Sequence, residues 1–453
     1  RTPDQWVRRW ATERPHDVAL VDVRPGRMRS YTWQEIVERA DRLASALLGL
    51  GVQPGERVAY QLPNWCEFVV VSLATMQIGA VCCPLMPIFR QREVSFALRR
   101  SAARVLVIPQ EFRGRNYVTE TAAMVAEAAA GSVGGDDGDS LALQHVVVVP
   151  ASDADSDSGT AGPAEIAAPL WGGGSVVWHS YPELMAGAEV NADLLASRRP
   201  TAEMTAQLLF TSGTSGEPKG VLHRFEALTR AALMEAEHLG LSARDAIYIP
   251  SPLAHQTGFL YGMWLALVLG SRQVIQGIWN GSRALRVLRE TRCTFVQAAT
   301  PFLADLVTAV GDGDRPPTDL RIFVATGAAV PRGLAERATR QLGTAVCGAW
   351  GTTETCLGTL SAPGDEPVKV WGTDGRPLRG IDVRITDDEG RVLPVGTEGN
   401  FELRGPTFFT GYLDRPDWTA AALTADGFFR TGDLGILDAD GYIRISGRVK
   451  DVI

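Results

Sequence analysis

The chain has 453 residues, 45% hydrophobic and 21% charged, with a formal charge of −8 from 44 basic and 52 acidic side chains. That length exceeds one compact core and predicts two or more subdomains of a globular protein. The acidic balance argues against nucleic acid as the main partner. Six scattered cysteines (Cys66, Cys82, Cys83, Cys293, Cys347, Cys356) lack metal-ligand spacing and read as buried, reduced thiols of a cytoplasmic enzyme. No signal peptide is visible from Arg1 onward. The longest apolar stretches, 68–89 and 259–270, are broken by prolines or too short to span a bilayer, so no transmembrane segment is expected.

Near the start, Thr32 and Glu35 have the spacing of a capping box. Ile36, Ala40, Leu43, Ala44 and Leu47 then recur at helical spacing, and Gly51 stops the helix. A strand is predicted over 58–62, a helix opening at Asn64, and a strand over 81–85. Residues 105–108 and 146–149 are continuous apolar strands, as in a parallel sheet covered on both faces. This alternation is a doubly wound α/β pattern. Two runs rich in Gly, Asp and Ser, 131–140 and 151–162, read as surface loops without chemistry. Farther on, helices are predicted over 224–237 and 261–269, and strands over 246–249, 273–276, 295–298 and 322–325. After about residue 365 the strands shorten (383–385, 399–403, 411–412) between Gly and Pro turns, which suggests a small β-barrel.

The most informative stretch is 208–221. A short apolar strand ends at Phe210 and runs into Thr211, Ser212, Gly213, Thr214, Ser215 and Gly216, then Glu217, Pro218, Lys219 and Gly220. Glycines let backbone N–H groups approach a ligand closely, and successive N–H groups form an anion-holding concavity. The hydroxyls add donors and Lys219 adds charge, so the loop reads as phosphate-binding. It is not a Walker A loop, because Gly220 follows Lys219 where Ser or Thr is required. It is not a nucleophile elbow either, because Gly213-Thr214-Ser215 is followed by Gly216 and Glu217, so that Glu217 stands where the second glycine of Gly-x-Ser-x-Gly is required.

This loop closely resembles the signature of the adenylate-forming superfamily, which includes acyl-CoA synthetases, peptide-synthetase adenylation domains and firefly-type luciferases. Further motifs follow in that family's order. Pro252-Leu253-Ala254-His255-Gln256-Thr257-Gly258-Phe259 resembles the run at the border of the acyl pocket. The Thr326-Gly327-Ala328-Ala329 turn resembles the one that lies along adenine and acyl group. Trp350-Gly351-Thr352-Thr353-Glu354 departs from the usual pattern only in having Trp for Tyr. An indole offers a flat face for stacking near the adenine, Thr353 offers a donor to phosphate, and Glu354 is a hard oxygen ligand suited to Mg²⁺. Thr431-Gly432-Asp433 supplies a carboxylate for two ribose hydroxyls. The segment from Gly447 to Asp451 resembles the hinge motif, with Arg448 reaching ribose or phosphate and Lys450 and Asp451 at the hinge.

The resemblance implies a fold of two doubly wound α/β subdomains, 1–200 and 201–360, plus a β-barrel subdomain, 361–446, with 447–453 beginning the hinge. It implies MgATP-dependent conversion of a carboxylate to an acyl-adenylate, then transfer to a thiol, with CoA as co-substrate. Thr211, Lys219, His255 and Glu354 are the implied catalytic set. The nucleotide would lie on Thr211–Gly216, Lys219, Gly327, Ala328, Trp350–Glu354, Asp433 and Arg448. The acyl group would lie on His255, Gly258, Phe259, Ala298, Ala299, Gly327, Gly351 and Cys356. No acid lies near His255 to pair a substrate amine, and its neighbours are apolar, so a hydrophobic medium-chain, alicyclic or terpenoid acid is expected. The run 402–431 is compact, which favours CoA over a carrier protein. A carrier-protein-loading acyl-AMP ligase and a luciferase-type oxygenase are the alternatives, and a homodimer stays open. The family's adenylation lysine lies in a C-terminal domain beyond the hinge. A chain ending at Ile453 is therefore expected to bind substrates but adenylate slowly.

Overall fold

The computed structural model describes residues 1–131, 141–151, 176–211, 218–327 and 330–449. The Gly- and Asp-rich stretches lie outside the described residues except at their edges. So do Ser212, Gly213, Thr214, Ser215, Gly216, Ala328, Lys450 and Asp451. The chain divides into two compact units, Arg1–Asp17 with Tyr31–Gly220, and Val18–Ser30 with Val221–Ile453.

In the first unit, the helix Trp33–Gly49 begins at the predicted capping box. Thr32 Oγ1 accepts from the Glu35 N–H at 3.2 Å, and Glu35 Oε2 accepts from the Thr32 N–H at 2.7 Å. The five apolar positions read from the spacing are all buried. The next helix, Cys66–Gln77, starts two residues later than expected. The Trp65 N–H donates to the Pro63 carbonyl in a tight turn, so Asn64 is spent in the turn. Apart from Glu67 this helix is buried on every side, which explains its lack of polar periodicity. The strands run in the order Thr205–Thr211, Val81–Pro84, Arg57–Tyr60, Val105–Pro109, His145–Val149, Val177–Ser180, all parallel.

In the second unit a larger sheet has the order Arg376–Pro377, Cys356–Leu360, Ala345–Thr352, Ile322–Thr326, Phe295–Ala299, Ala246–Ile249, Arg272–Gln276, Val18–Arg24. From Ala345–Thr352 to Val18–Arg24 the strands are parallel, and Cys356–Leu360 returns antiparallel. One face carries the helices Gly281–Glu290, Thr300–Gly311 and Arg332–Leu342, whose Leu285, Leu303 and Ala338 share a core with Tyr248, Val296, Ala298 and Phe323. The other face carries the helix Phe225–Leu239 and the segment Phe259–Trp264. The latter is predicted as part of an α-helix but winds in the wider i→i+5 manner, a local expansion frequent at functional sites. Of the short strands of the C-terminal region, Asp382–Thr386 and Glu398–Arg404 join Phe429–Leu437 and Ile443–Arg448 in a four-stranded antiparallel sheet, in that order, whereas the expected strand Gly411–Tyr412 lies outside it and pairs antiparallel with Val221 and Leu222.

Candidate functional site

Parallel strands leave their carboxyl ends along one edge, and ligands of α/β sheets bind outside that edge. The register of the second unit places several expected residues there. Ala298 pairs with Ala325 and Ala299 with Thr326, so Ala299 and Gly327 end neighbouring strands. Trp350, Gly351 and Thr352 extend beyond the last parallel pair, Ala325 with Gly348. Strand alternation separates two of the expected acyl residues. Ala298 turns into the core beneath the three helices, whereas Ala299 is on the opposite face, half-buried.

The chain reverses sharply between Ala345–Thr352 and Cys356–Leu360. The Thr352 and Thr355 hydroxyls lie 3.1 Å apart, and the Thr355 N–H donates to Thr352 Oγ1 at 3.2 Å, so this pair staples the turn. The register slips between Trp350 and Gly351. Gly351 is required by close approach, since a Cβ there would lie 2.4 Å from the Cys356 carbonyl oxygen. Cys356 is buried at a positive φ of 60°, and burial pushes its thiol up to about 12, so it is a neutral packing group.

Glu354 projects from this turn, half-buried. Tyr412 Oη donates to Glu354 Oε1 at 2.8 Å, and the Phe409 N–H donates to the Glu354 carbonyl at 2.7 Å. The carboxylate is therefore oriented, and Oε2 has no hydrogen-bond partner among the described residues. One oriented carboxylate suits Mg²⁺, which takes one or two carboxylates and completes its shell with phosphate and water oxygens. No three His, Cys, Asp or Glu side chains cluster as a metal cage among the described residues. Behind the turn, buried His223 Nε2 donates to the Thr353 carbonyl at 2.6 Å. Burial lowers its pKa to about 4, so the imidazole is neutral at pH 7.

Trp350 Nε1 donates to Asp433 Oδ2 at 2.8 Å, and both residues are buried. The indole meets Phe401 edge-on, with ring centres 4.7 Å apart. Thr431 Oγ1 donates to the Phe401 carbonyl at 2.7 Å and accepts the Asp433 N–H at 3.0 Å. Asp433 faces Arg448 across the antiparallel ladder, with Arg448 Nε 3.4 Å from Oδ1 and most of the Arg448 side chain exposed. Burial raises the Asp433 carboxyl, opposed by the Trp350 hydrogen bond and the Arg448 charge.

Among the residues expected to face the acyl group, His255 accepts the Thr257 N–H on Nδ1 at 3.3 Å and begins the short turn 256–258. Gly258 lies against the preceding loop, where a Cβ would stand 2.3 Å from the Pro252 carbonyl oxygen. Phe259 is fully buried. Thr211 ends one strand and Lys219 opens another; both are half-buried, and both belong to the first unit. His223, Tyr412 and Thr355 were not expected from the sequence. His223 follows the Pro-Lys-Gly run, which was the one local signal. Tyr412 had none, being one aromatic residue in a two-residue strand.

A family model for AMP-binding enzymes matches residues 7–413. The chain is 32% identical to the medium-chain fatty-acid–CoA ligase of Escherichia coli, over 99% of this chain and 72% of that protein. It is also 32% identical to the 3-[(3aS,4S,7aS)-7a-methyl-1,5-dioxo-octahydro-1H-inden-4-yl]propanoyl:CoA ligase of Mycobacterium tuberculosis, over 94% of this chain and 75% of that protein. Its fold is similar to the crystal structure of the anthranilate CoA ligase AuaEII in complex with anthranoyl-AMP, with TM-score 0.82 and 22% identity over 100% of this chain and 79% of that one.

Proposed function

The chain belongs to the AMP-binding enzyme family and is an ATP-dependent, AMP-forming acid–thiol ligase; on that premise we propose that its acid is hydrophobic (medium-chain, alicyclic or terpenoid) and its thiol is coenzyme A. The acid carboxylate attacks the α-phosphorus of ATP, the bond to pyrophosphate breaks, and an acyl-adenylate forms. The thiol sulfur then attacks the acyl carbon, and AMP leaves. Side chains need form no covalent bond in either step. Their contribution is to position reactants and stabilise phosphate charge.

The observation that carries this reading is the buried carboxylate of Asp433, aimed by the Trp350 N–H and flanked by Arg448. Two adjacent ribose hydroxyls are donors, and one carboxylate has acceptor capacity for both. Glu354 would hold Mg²⁺ through Oε2. Trp350, Gly351, Thr352, Thr353 and Gly327 would line the adenosine and phosphate path. Thr211, Lys219 and the intervening loop would hold the distal phosphates. His255, Gly258, Phe259, Ala299 and Cys356 would face the acid, with Ala298 supporting them from the core side. Lys450 and Asp451 would begin the hinge. The two curated relatives act on a medium-chain and an alicyclic acid by name, which supports the acid class. The compact run 402–431 supports CoA. Among the described residues no helix is long and apolar enough to cross a membrane, and we place the enzyme in the cytoplasm.

The test is calorimetric binding of non-hydrolysable acyl-sulfamoyl adenosines ranging from acetyl to octanoyl, cyclohexanecarboxyl and benzoyl. The octanoyl or cyclohexanecarboxyl compound should bind tightest. A strong preference for acetyl or benzoyl refutes the acid assignment.

A further inference from the structure

The helix Phe225–Leu239 buries Glu235 completely, and neither of its carboxyl oxygens has a hydrogen-bond partner among the described residues. A buried polar group without a partner is uncommon and costly. Among the described residues no basic side chain offsets the burial, which alone pushes this carboxyl well above the ordinary carboxylate range. Burial therefore favours the protonated form of Glu235, which has one O–H to donate and one carbonyl oxygen to accept.

The surroundings of Glu235 make it more than an isolated anomaly. Its helix packs on the widened segment Phe259–Trp264 and on the strand Cys356–Leu360. Tyr261, from that segment, feels the field of Glu235, and its hydroxyl accepts the Leu357 N–H. Gln256 reaches Cys356 Sγ through its Nε2 at 4.0 Å, while its Oε1 is buried without a partner among the described residues. Gln297 lies on the side of its strand opposite the Ala298 core, and both polar atoms of its side-chain amide are buried without a partner among the described residues. Glu235, Gln256 and Gln297 thus share the face of the sheet that also bears His255, Gly258, Phe259 and Ala299.

We propose that Glu235, with Gln256 and Gln297, forms a polar subsite at the far end of the acyl pocket, which selects acids bearing a neutral oxygen, a keto or hydroxyl group, remote from the carboxylate. This rests on the adenylate-forming reading above and narrows its substrate class. A keto oxygen accepts from the Glu235 O–H, and a hydroxyl also donates to Gln256 Oε1. A plain alkyl or ring carbon leaves all three groups unsatisfied. Sites built to hydrogen-bond a substrate group reject analogues that lack it far more strongly than apolar pockets reject an added methylene.

The experiment is calorimetry of two matched pairs of acyl-sulfamoyl adenosines, octanoyl with 7-oxo-octanoyl and cyclohexanecarboxyl with 4-oxocyclohexanecarboxyl. The protein should bind the keto member of at least one pair roughly 10-fold or more tighter. Glu235→Leu should collapse that ratio to near or below one, and Glu235→Gln, which keeps a donor, should retain part of it. Equal binding within both pairs overturns the proposal, since water then serves these groups. So does an equal weakening of both members in Glu235→Gln, which marks a structural role. Binding of the plain members verifies the adenylate pocket independently. Absence of all binding by the native protein refutes the underlying reading and takes the subsite with it.

Discussion

Replacing Trp350 with Phe removes one donor while keeping an aromatic ring against Phe401. In the native protein the indole N–H donates to Asp433 Oδ2 at 2.8 Å, between two buried residues. A hydrogen bond to a charged acceptor contributes about 1.5–3 kcal/mol. Arg448 supports the same carboxylate only from 3.4 Å, on a largely exposed side chain, so it offsets little of the loss. If Asp433 binds the ribose as a carboxylate, losing the indole weakens its ionised form and its aim together. Affinity for AMP should fall by about 10- to 100-fold at pH 7. Burial already raises the Asp433 carboxyl and the Trp350 bond opposes that. Binding should therefore decline as pH falls through the raised value, and in Trp350→Phe that decline should begin at a higher pH. Calorimetric titration with AMP from pH 5 to 8 measures both effects. An AMP affinity within twofold of native across that range, with the same acid limb, would falsify the assignment of Asp433 as an indole-positioned ribose ligand.

Glu354→Ala should reduce acid-dependent pyrophosphate release by roughly 10²-fold or more. Tyr412→Phe, which frees Glu354 Oε1, should cost less and be partly rescued by raising Mg²⁺; near-native release from Glu354→Ala would refute the metal role. His223 has a pKa of about 4 in the folded protein against an ordinary 6.5, so its neutral form stabilises the fold above pH 6.5 and that contribution is lost as pH falls towards 4. The full difference is on the order of 3 kcal/mol. Urea unfolding at pH 7.5 and 5 should therefore show a smaller pH dependence in His223→Gln than in the native protein, and identical slopes would remove His223 as the source.

The α/β class and the order of elements were legible locally, because continuous apolar strands alternate with periodic helices. The capping box of Thr32 and Glu35 needed only a spacing of three and forms as read. The family was legible for a similar reason: its motifs are short runs of fixed residue types, and short runs survive in the linear sequence.

Partnerships across the chain were not legible. Tyr412 orients Glu354 from 58 positions away, Trp350 aims Asp433 across 83, and His223 supports Thr353 across 130. Nothing local to those residues encodes such contacts; sheet register and helix packing create them. The pleat placed Ala298 and Ala299 on opposite faces, which composition treats as equivalent. The widened winding of Phe259–Trp264 was likewise invisible, since a buried helix of either pitch reads as the same apolar run. Glu235 looks like any solvated helix glutamate in the sequence, and only packing buried it without a hydrogen-bond partner among the described residues. The sequence by itself determined the chemistry carried by the chain. Tertiary structure decided which oxygens are aimed and which are buried, because burial and direction are properties of the assembled layers.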